Sequence, residues 1–272
     1  MKSLEEEKGS LLLEARGSTL GRLQWQRGRR INGHVVRQNS SLQQNCPLFA
    51  KSAKLRVEIY GVHLHQFRDQ MPLSRKHDLV IEKTPRYFIT KQAPNRIRRM
   101  NPNVKLIVVV RDPVIRALSE YAQIASKRPG LAPFERMAFL DDPPSRINAS
   151  WHAVDTGLYD KHARRWLKAF PRSNILFVNG ERLVSSPAAE TRRVERFLAL
   201  PPQITGDHFD LSGQFPCTRK LPSRRPHCLG SSKGRRHPVV APEALRALVQ
   251  FYRHHNERFF RMTGHNFTSW LQ

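Results

Sequence analysis

The sequence predicts an α/β protein, a central parallel sheet flanked by helices, on three observations. Residues 105–110 form a short run dominated by β-branched residues, suited to a strand buried on both faces. Residues 174–178 repeat that signature after a helical stretch. Strands that alternate with helices need crossover connections, and these favour parallel neighbours covered on both sides.

The elements follow in order. Residues 78–82 read as a short strand and 94–100 as a helical turn or short helix. The strand at 105–110 is ended by Arg111-Asp112-Pro113. Pro113 suits a first helical turn, and Ile115, Leu118, Tyr121 and Ala122 continue an amphipathic helix to about residue 126. Further helices are expected at 159–170, 187–200 and 242–262, the last two separated by a loop that holds Cys217 and Cys228. Tyr87 and Phe88 read as core aromatics, while Trp151, Trp166 and Trp270 carry no motif. Residues 1–60 show no lasting periodicity, with polar stretches at Arg27-Gly28-Arg29-Arg30 and 38–44. A chain of 272 residues holds one sizeable domain plus such a segment.

The 47 Lys and Arg against 22 Asp and Glu leave a formal charge of +25, which suits a polyanionic partner. Nucleic acid, anionic membrane and sulfated polysaccharide all qualify, and a merely solvated surface is the bland alternative. No zinc-finger, RNP-like or basic-zipper pattern is found, and the cations are spread along the chain, so nucleic acid is not the expected partner. The longest apolar run, 106–110, is far short of a membrane span, and the acidic start resembles no signal peptide.

Three sequons, at Asn39, Asn148 and Asn266, point instead to a secretory route. Cys217 and Cys228 flank a short loop rich in Pro and Arg. In an oxidising compartment they would close it, worth roughly 2–3 kcal/mol in the chain-entropy picture. Two free thiols are the alternative; a zinc pair fits less well, because the spacing matches no common finger. Cys46 has no evident partner, and no metal is expected.

In a sheet of this kind ligands sit beyond the carboxyl ends of the strands. Arg111 stands at that end of the best strand, and Ser119 lies two helical turns on. The planar guanidinium fork suits phosphate, and the helix N-terminus would add oriented N–H groups; a salt bridge is the competing explanation for Arg111. In Lys233-Gly234-Arg235 a glycine between cations lets backbone N–H groups approach a phosphate.

The combination is more specific than its parts. Glu82-Lys83-Thr84-Pro85-Arg86-Tyr87-Phe88, then Leu106 to Val114 with Arg116-Ala117 and Ser119, then Phe215-Pro216-Cys217, Cys228-Leu229-Gly230 and Lys233-Gly234-Arg235-Arg236-His237-Pro238 occur in that order. Together with Phe251-Tyr252, Asn256, Phe259 and Met262-Thr263-Gly264, these segments resemble the hallmark segments of heparan sulfate glucosamine 3-O-sulfotransferases. The resemblance implies a P-loop-like sulfotransferase fold and the co-substrate 3'-phosphoadenosine 5'-phosphosulfate. Arg111 and Ser119 then match the 3'-phosphate site, and Lys233, Gly234 and Arg235, with the paired Cys217 and Cys228 before them, match donor-contacting segments. Lys83 matches a lysine beside the sulfate acceptor, with a plain surface lysine as its alternative, and Gln123 matches a residue that touches the sugar chain. Positioning and cationic stabilisation should carry such a transfer. His237 reads as a loop-satisfying residue, and Arg86 replaces a residue that is often small in the family.

The resemblance also implies a Golgi lumenal enzyme, although this chain shows neither signal nor anchor. It stops short at one end. The family's Lys-Gly-Gly-Thr-Arg phosphate loop and Glu-Pro-His-Phe-Phe base segment have no counterpart. Arg16-Gly17-Ser18-Thr19 and Arg27-Gly28-Arg29-Arg30 do not read as following a buried strand, and Val57-Glu58-Ile59-Tyr60 lacks the flanking motif. Recognisable sequence resumes at Gln66-Phe67-Arg68, so residues 66–272 are expected to form a partial sulfotransferase domain and residues 1–65 an atypical, poorly ordered segment. The expected function is sulfuryl transfer to the 3-hydroxyl of glucosamine in heparan sulfate. The alternative is an inactive variant that still binds heparan sulfate, since losing a general base alone costs about 10²–10⁴ in rate.

Overall fold

The computed structural model describes residues 11–16, 30–31, 34–38 and 79–271, except 85, 142–144, 222–224 and 231–232. Most of residues 1–65 lies outside these, as do Asn39, Cys46 and the 57–60 and 66–72 segments. Three short strands fall within the part that reads as aperiodic: β1 (Leu11–Arg16), β2 (Arg30–Ile31) and β3 (His34–Gln38). The chain divides into two compact units, one of residues 10–108 and 166–176 and one of residues 1–9, 109–165 and 177–272.

The first of these carries β4 (Leu79–Thr84), α1 (Ala93–Met100) and most of β5 (Lys105–Val110). With β6 (Ile175–Asn179), the strands form one sheet in the order β2-β3-β4-β1-β5-β6. β3 pairs parallel to β4, but β1 runs antiparallel to both neighbours, with Leu11 opposite Thr84 and Val108 and Glu14 opposite Ile81 and Lys105. The sheet is therefore mixed. β4 and β5 still point the same way, because each opposes β1.

The β5 run behaves as its composition demands: Leu106, Ile107, Val108 and Val110 are buried. Tyr87 and Phe88 are core residues as expected. Trp166, fully buried, donates its Nε1 hydrogen to the Phe88 carbonyl at 2.9 Å and stacks on Phe170 with ring centres 6.1 Å apart. α1 buries only Ala93, Pro94 and Ile97, a narrow stripe.

In the other unit lie α2 (Pro113–Ala125), α3 (Phe134–Ala138), α4 (His152–Thr156) and the start of α5 (Tyr159–Ala169). They are followed by α6 (Gly180–Ser185), α7 (Pro187–Phe197), a small sheet of β7 (Phe209–Asp210), β8 (Cys217–Arg219) and β9 (Pro226–His227), and α8 (Pro242–Thr263). Val114, Ala117, Leu118 and Tyr121 form the buried stripe of α2, at the spacing of one helical face. Around it pack Phe134, Leu248 and Tyr252, and the Tyr252 hydroxyl donates to the Val154 carbonyl at 2.8 Å. The far end of α8 buries Phe259 and Phe260 among Phe177, Phe267 and Trp270. Gly264, at φ +60°, caps that helix in the left-handed region.

α3, α4 and α6 are too short to leave a periodic signal in the sequence. α7 stops at Phe197 where periodicity extends it to 200. Ala199 turns left-handed at φ 51°, Pro201 follows, and Glu195 Oε1 accepts the Gln203 and Ile204 N–H groups at 3.0 Å each, so the chain is held in the reversal.

Trp166→Ala removes a fully buried ring and its hydrogen bond to the Phe88 carbonyl, and is expected to cost about 3–5 kcal/mol. Leu140→Ala, at an exposed site, should stay within about 0.5 kcal/mol. Urea unfolding of the two variants checks the contrast, and equal losses would contradict the packing described.

Candidate functional site

β5 becomes α2 in one sharp step. Asp112 caps the helix, its Oδ1 accepting the N–H groups of Val114 at 2.8 Å and Ile115 at 3.1 Å. Burial raises the Asp112 carboxyl, and these two bonds pull it back. The Tyr159 hydroxyl donates to the Arg111 carbonyl at 2.9 Å. Gly180 permits close approach here, since a Cβ would stand 3.1 Å from the Val110 carbonyl oxygen and 3.2 Å from Arg111 Cβ. Glu181 is thereby set against the turn: its Oε1 accepts the Asp112 N–H at 2.8 Å and lies 3.7 Å from Arg111 Nε.

The other end of the guanidinium points forward. Arg111 Nη1 donates to Ser119 Oγ at 3.4 Å, and Ser119 Oγ lies 2.8 Å from His237 Nε2. Burial lowers the Arg111 pKa while Glu181 opposes the shift, and the group stays a cation across the neutral range. Burial, with Arg111 adding to it, holds His237 below the usual imidazole value, so it is neutral at neutral pH. A guanidinium, a hydroxyl and an imidazole thus converge, a donor set that fits a phosphate group. The salt-bridge explanation of Arg111 is half realised, through Nε, and leaves Nη1 on Ser119.

One expectation is corrected. The α2 N-terminus does not present open N–H groups: Pro113 has none, Val114 and Ile115 are taken by Asp112 Oδ1, and the Arg116 N–H goes to the Asp112 carbonyl at 2.9 Å. A capping carboxylate repels an anion, so phosphate recognition falls to the side chains.

Gln123 lies one helical turn beyond Ser119 on the same side of α2, half-buried. Lys233 and Arg235 are half-buried on the segment that ends at His237, and so at Ser119. Gly234 has φ +68°, and a Cβ there would meet Gln214 Oε1 at 2.5 Å, so this turn requires glycine. Cys217 and Cys228 form a disulfide with Cα atoms 4.2 Å apart, which closes the β8–β9 hairpin and rules out free thiols or zinc for this pair. Asp210 Oδ2 braces β7 on β8 by accepting from Arg219 at 2.6 Å, and hydrogen bonds from Ser212, then Arg219, hold its carboxyl at about 2.

Lys83 belongs to the other unit, half-buried near the carboxyl end of β4 and opposite Leu12 and Gln38. It stands inside the strand, which runs on to Thr84, and its neighbour Glu82 accepts the Thr84 hydroxyl at 2.6 Å. Arg86 is exposed. Arg16, the first residue of Arg16-Gly17-Ser18-Thr19, ends a sheet strand, β1, between β4 and β5, and residues 17–19 lie outside the described residues. Because β1 is antiparallel to β4, its last residue, Arg16, pairs with Leu79, the first residue of β4.

Three residues here escape sequence reasoning. His237 reads as a loop residue, and Tyr159 and Glu181 carry no motif. Glu181 follows a buried strand as Arg111 does, so the strand-end rule applied to β6 would have found it.

The sulfotransferase domain family matches residues 34–232, so the chain belongs to that family. Among its relatives, mouse heparan sulfate glucosamine 3-O-sulfotransferase 3B1 is 50% identical over 211 residues, covering 76% of this chain and 54% of that protein. The human 3-O-sulfotransferase 6 is 48% identical over 211 residues, 76% of this chain and 61% of that protein. The human 3-O-sulfotransferase 5 is 38% identical over 214 residues, again 76% and 61%. The chain thus spans about half to three-fifths of the length of these relatives. The fold is shared with a sulfotransferase from Alicyclobacillus acidocaldarius at TM-score 0.52 and 16% identity, over 70% of this chain and 66% of that one.

Under the site, buried Arg116 donates from Nη1 to Glu120 Oε2 at 2.6 Å and from Nη2 to the Ala153 carbonyl, and His152 Nδ1 lies 3.0 Å from Glu120 Oε1. Burial acts to raise the Glu120 carboxyl, but His152 and Arg116 outweigh it and bring the group down to about 2. A depressed carboxylate stabilises the fold above its unfolded value, and that contribution fades as pH falls through the folded one. Glu120→Gln is expected to cost on the order of 2–3 kcal/mol at neutral pH and to flatten the loss of stability between about pH 4.5 and 2. Urea unfolding across that range reads it, and an unchanged acid limb would show that the network contributes nothing.

Proposed function

We propose that the chain transfers a sulfuryl group from 3'-phosphoadenosine 5'-phosphosulfate to the 3-hydroxyl of glucosamine in heparan sulfate. One observation carries the reading: the Arg111–Ser119 pair, with His237 against the serine, at the carboxyl end of β5 in a chain 50% identical over 211 residues to a 3-O-sulfotransferase. Arg111 and Ser119 hold the donor's 3'-phosphate, and Lys233, Gly234 and Arg235 contact the donor from their loop. Gln123 orients the sugar chain, and Lys83 serves as the catalytic cation beside the acceptor hydroxyl. The donor supplies the sulfuryl group: its bond to the 5'-phosphate breaks, one to the acceptor oxygen forms, the hydroxyl proton passes to solvent, and 3'-phosphoadenosine 5'-phosphate leaves. These side chains position the partners and neutralise charge that builds on the transferring group.

The reaction belongs in the Golgi lumen, an oxidising compartment in which Cys217–Cys228 persists. Asn266, exposed after α8, is open to glycosylation there, whereas Asn148 donates its amide to the Met137 carbonyl at 3.1 Å. Residues 66–272 hold the recognisable sulfotransferase segments, and the family match, which begins at residue 34, supports a domain that starts within the atypical segment of residues 1–65.

A second reading, a variant that binds heparan sulfate without transferring sulfate, is favoured by the direction of β1. Arg16, the last residue of β1, stands opposite Leu79 at the start of β4, the other end of that strand from Lys83.

The expected outcome is donor-dependent sulfation of heparan sulfate by the purified chain, reduced about 10²-fold or more in Arg111→Ala. In that variant 3'-phosphoadenosine 5'-phosphate should no longer raise the melting temperature, while Ser119→Ala keeps part of the shift. No product from a folded chain that still binds heparin would establish the second reading.

A further inference from the structure

The hydrogen atoms around Ser119 are arranged for a site without its anion. Ser119 Oγ accepts from Arg111 Nη1 at 3.4 Å and stands 2.8 Å from His237 Nε2. A hydroxyl has one hydrogen to give, and a neutral imidazole has one N–H and one bare nitrogen. Burial and the Arg111 cation both disfavour imidazolium here, so the ring is neutral. Arg111 already donates into the serine oxygen, and Nε2 is the acceptor placed to take the Ser119 hydrogen. This assigns the ring hydrogen to Nδ1, and the relay runs from Arg111 through Ser119 to His237.

A phosphate dianion only accepts. To hold one, Ser119 must turn its hydrogen to the ligand, and Nε2 is then left facing an oxygen with no hydrogen between them. A proton on Nε2 removes that conflict and makes the imidazole a charged donor. The ligand's negative charge favours this proton, while Arg111 opposes it. Glu181 of α6 lies 3.7 Å from Arg111 Nε, at the other end of the guanidinium from Ser119, and Asp112 Oδ1 is taken up by the α2 cap. Lys233, Arg235 and Arg236 precede His237 on its own segment and carry the same charge with and without the ligand.

We propose that His237 is a third ligand of the donor's phosphate and binds it as imidazolium, so that one proton is taken up when the phosphate enters. The proposal rests on the reading of Arg111 and Ser119 as the phosphate site. It makes donor affinity depend on pH. A ring that is harder to deprotonate with the ligand bound gives tightest binding below its free pKa. The gain is lost as pH rises through the bound value, by up to about tenfold per pH unit between the two.

The test is calorimetric titration of the full chain with 3'-phosphoadenosine 5'-phosphate from about pH 7 to 8.5, in pairs of phosphate-free buffers that differ in ionisation enthalpy. The difference between paired heats counts the protons taken up. A phosphate monoester has its second pKa near about 6, so in this range the ligand takes up none itself. Proton uptake that grows from pH 8.5 toward 7 is expected, with affinity rising in parallel. His237→Gln, at an exposed position, keeps hydrogen-bonding groups but cannot take a proton. It should abolish the uptake and lower affinity by roughly 10-fold near pH 7, with a smaller loss at pH 8.5. No uptake by the unaltered chain, or uptake that persists in His237→Gln, overturns the role of His237 and leaves Arg111 and Ser119 as the phosphate ligands. Binding that Arg111→Ala does not weaken overturns the phosphate reading, and this proposal with it.

Discussion

The turn at Val110-Arg111-Asp112-Pro113 is the constraint on which the site depends. A buried strand must end, a helix must begin, and the backbone groups at the junction must all find partners within four residues. Asp112 satisfies the helix start, Tyr159 satisfies the Arg111 carbonyl, and Glu181 satisfies the Asp112 N–H. With the backbone closed, the Arg111 side chain is the group left to face outward, and it lands on Ser119 two turns along α2. Gly180 belongs to the same constraint, since a Cβ there would press on the Val110 carbonyl oxygen at 3.1 Å and on Arg111 Cβ at 3.2 Å.

The rest of that unit supports this junction. α2 is held from beneath by its apolar stripe and by Arg116, Glu120 and His152, which join it to α4. Burying an ion pair stabilises little by itself, but it fixes the rotation of a helix, because each oxygen of Glu120 has a designated partner. A rotated α2 would carry Ser119, and Gln123 with it, away from Arg111. The left-handed turn at Gly234 does similar service for the segment that returns His237 to Ser119.

Charge is organised differently in the two units. Around Arg111 the cation is partly buried, with a carboxylate behind it and a hydroxyl ahead, an arrangement suited to holding one small anion in a defined place. On α1 and the α5–β6 connection the cations Arg98, Arg99, Lys168 and Arg172 are exposed to solvent. Net charge alone merges these two environments into one figure.

Much of the fold was legible in the sequence because its signals are local. The β-branched run at 105–110, the Pro113 helix start, and the periodic stretches of α2, α5 and α8 each follow from a few neighbouring residues; Arg111 follows from the rule that strand ends bind ligands, and Ser119 as its companion from the family resemblance. What tertiary structure decided depends on residues far apart in the chain. The pairing of Ser119 with His237 joins positions 118 residues apart, and the contribution of Glu181 needs Gly180 to lie against Val110. The closing of the α2 N-terminus by Asp112 and the left-handed stop at Ala199 are compromises between local preference and surrounding hydrogen bonds. The direction of β1 is the clearest case. Six residues carry no mark of which way they will pair, and only the register against Thr84 and Val108 determined where the chain leaves the sheet.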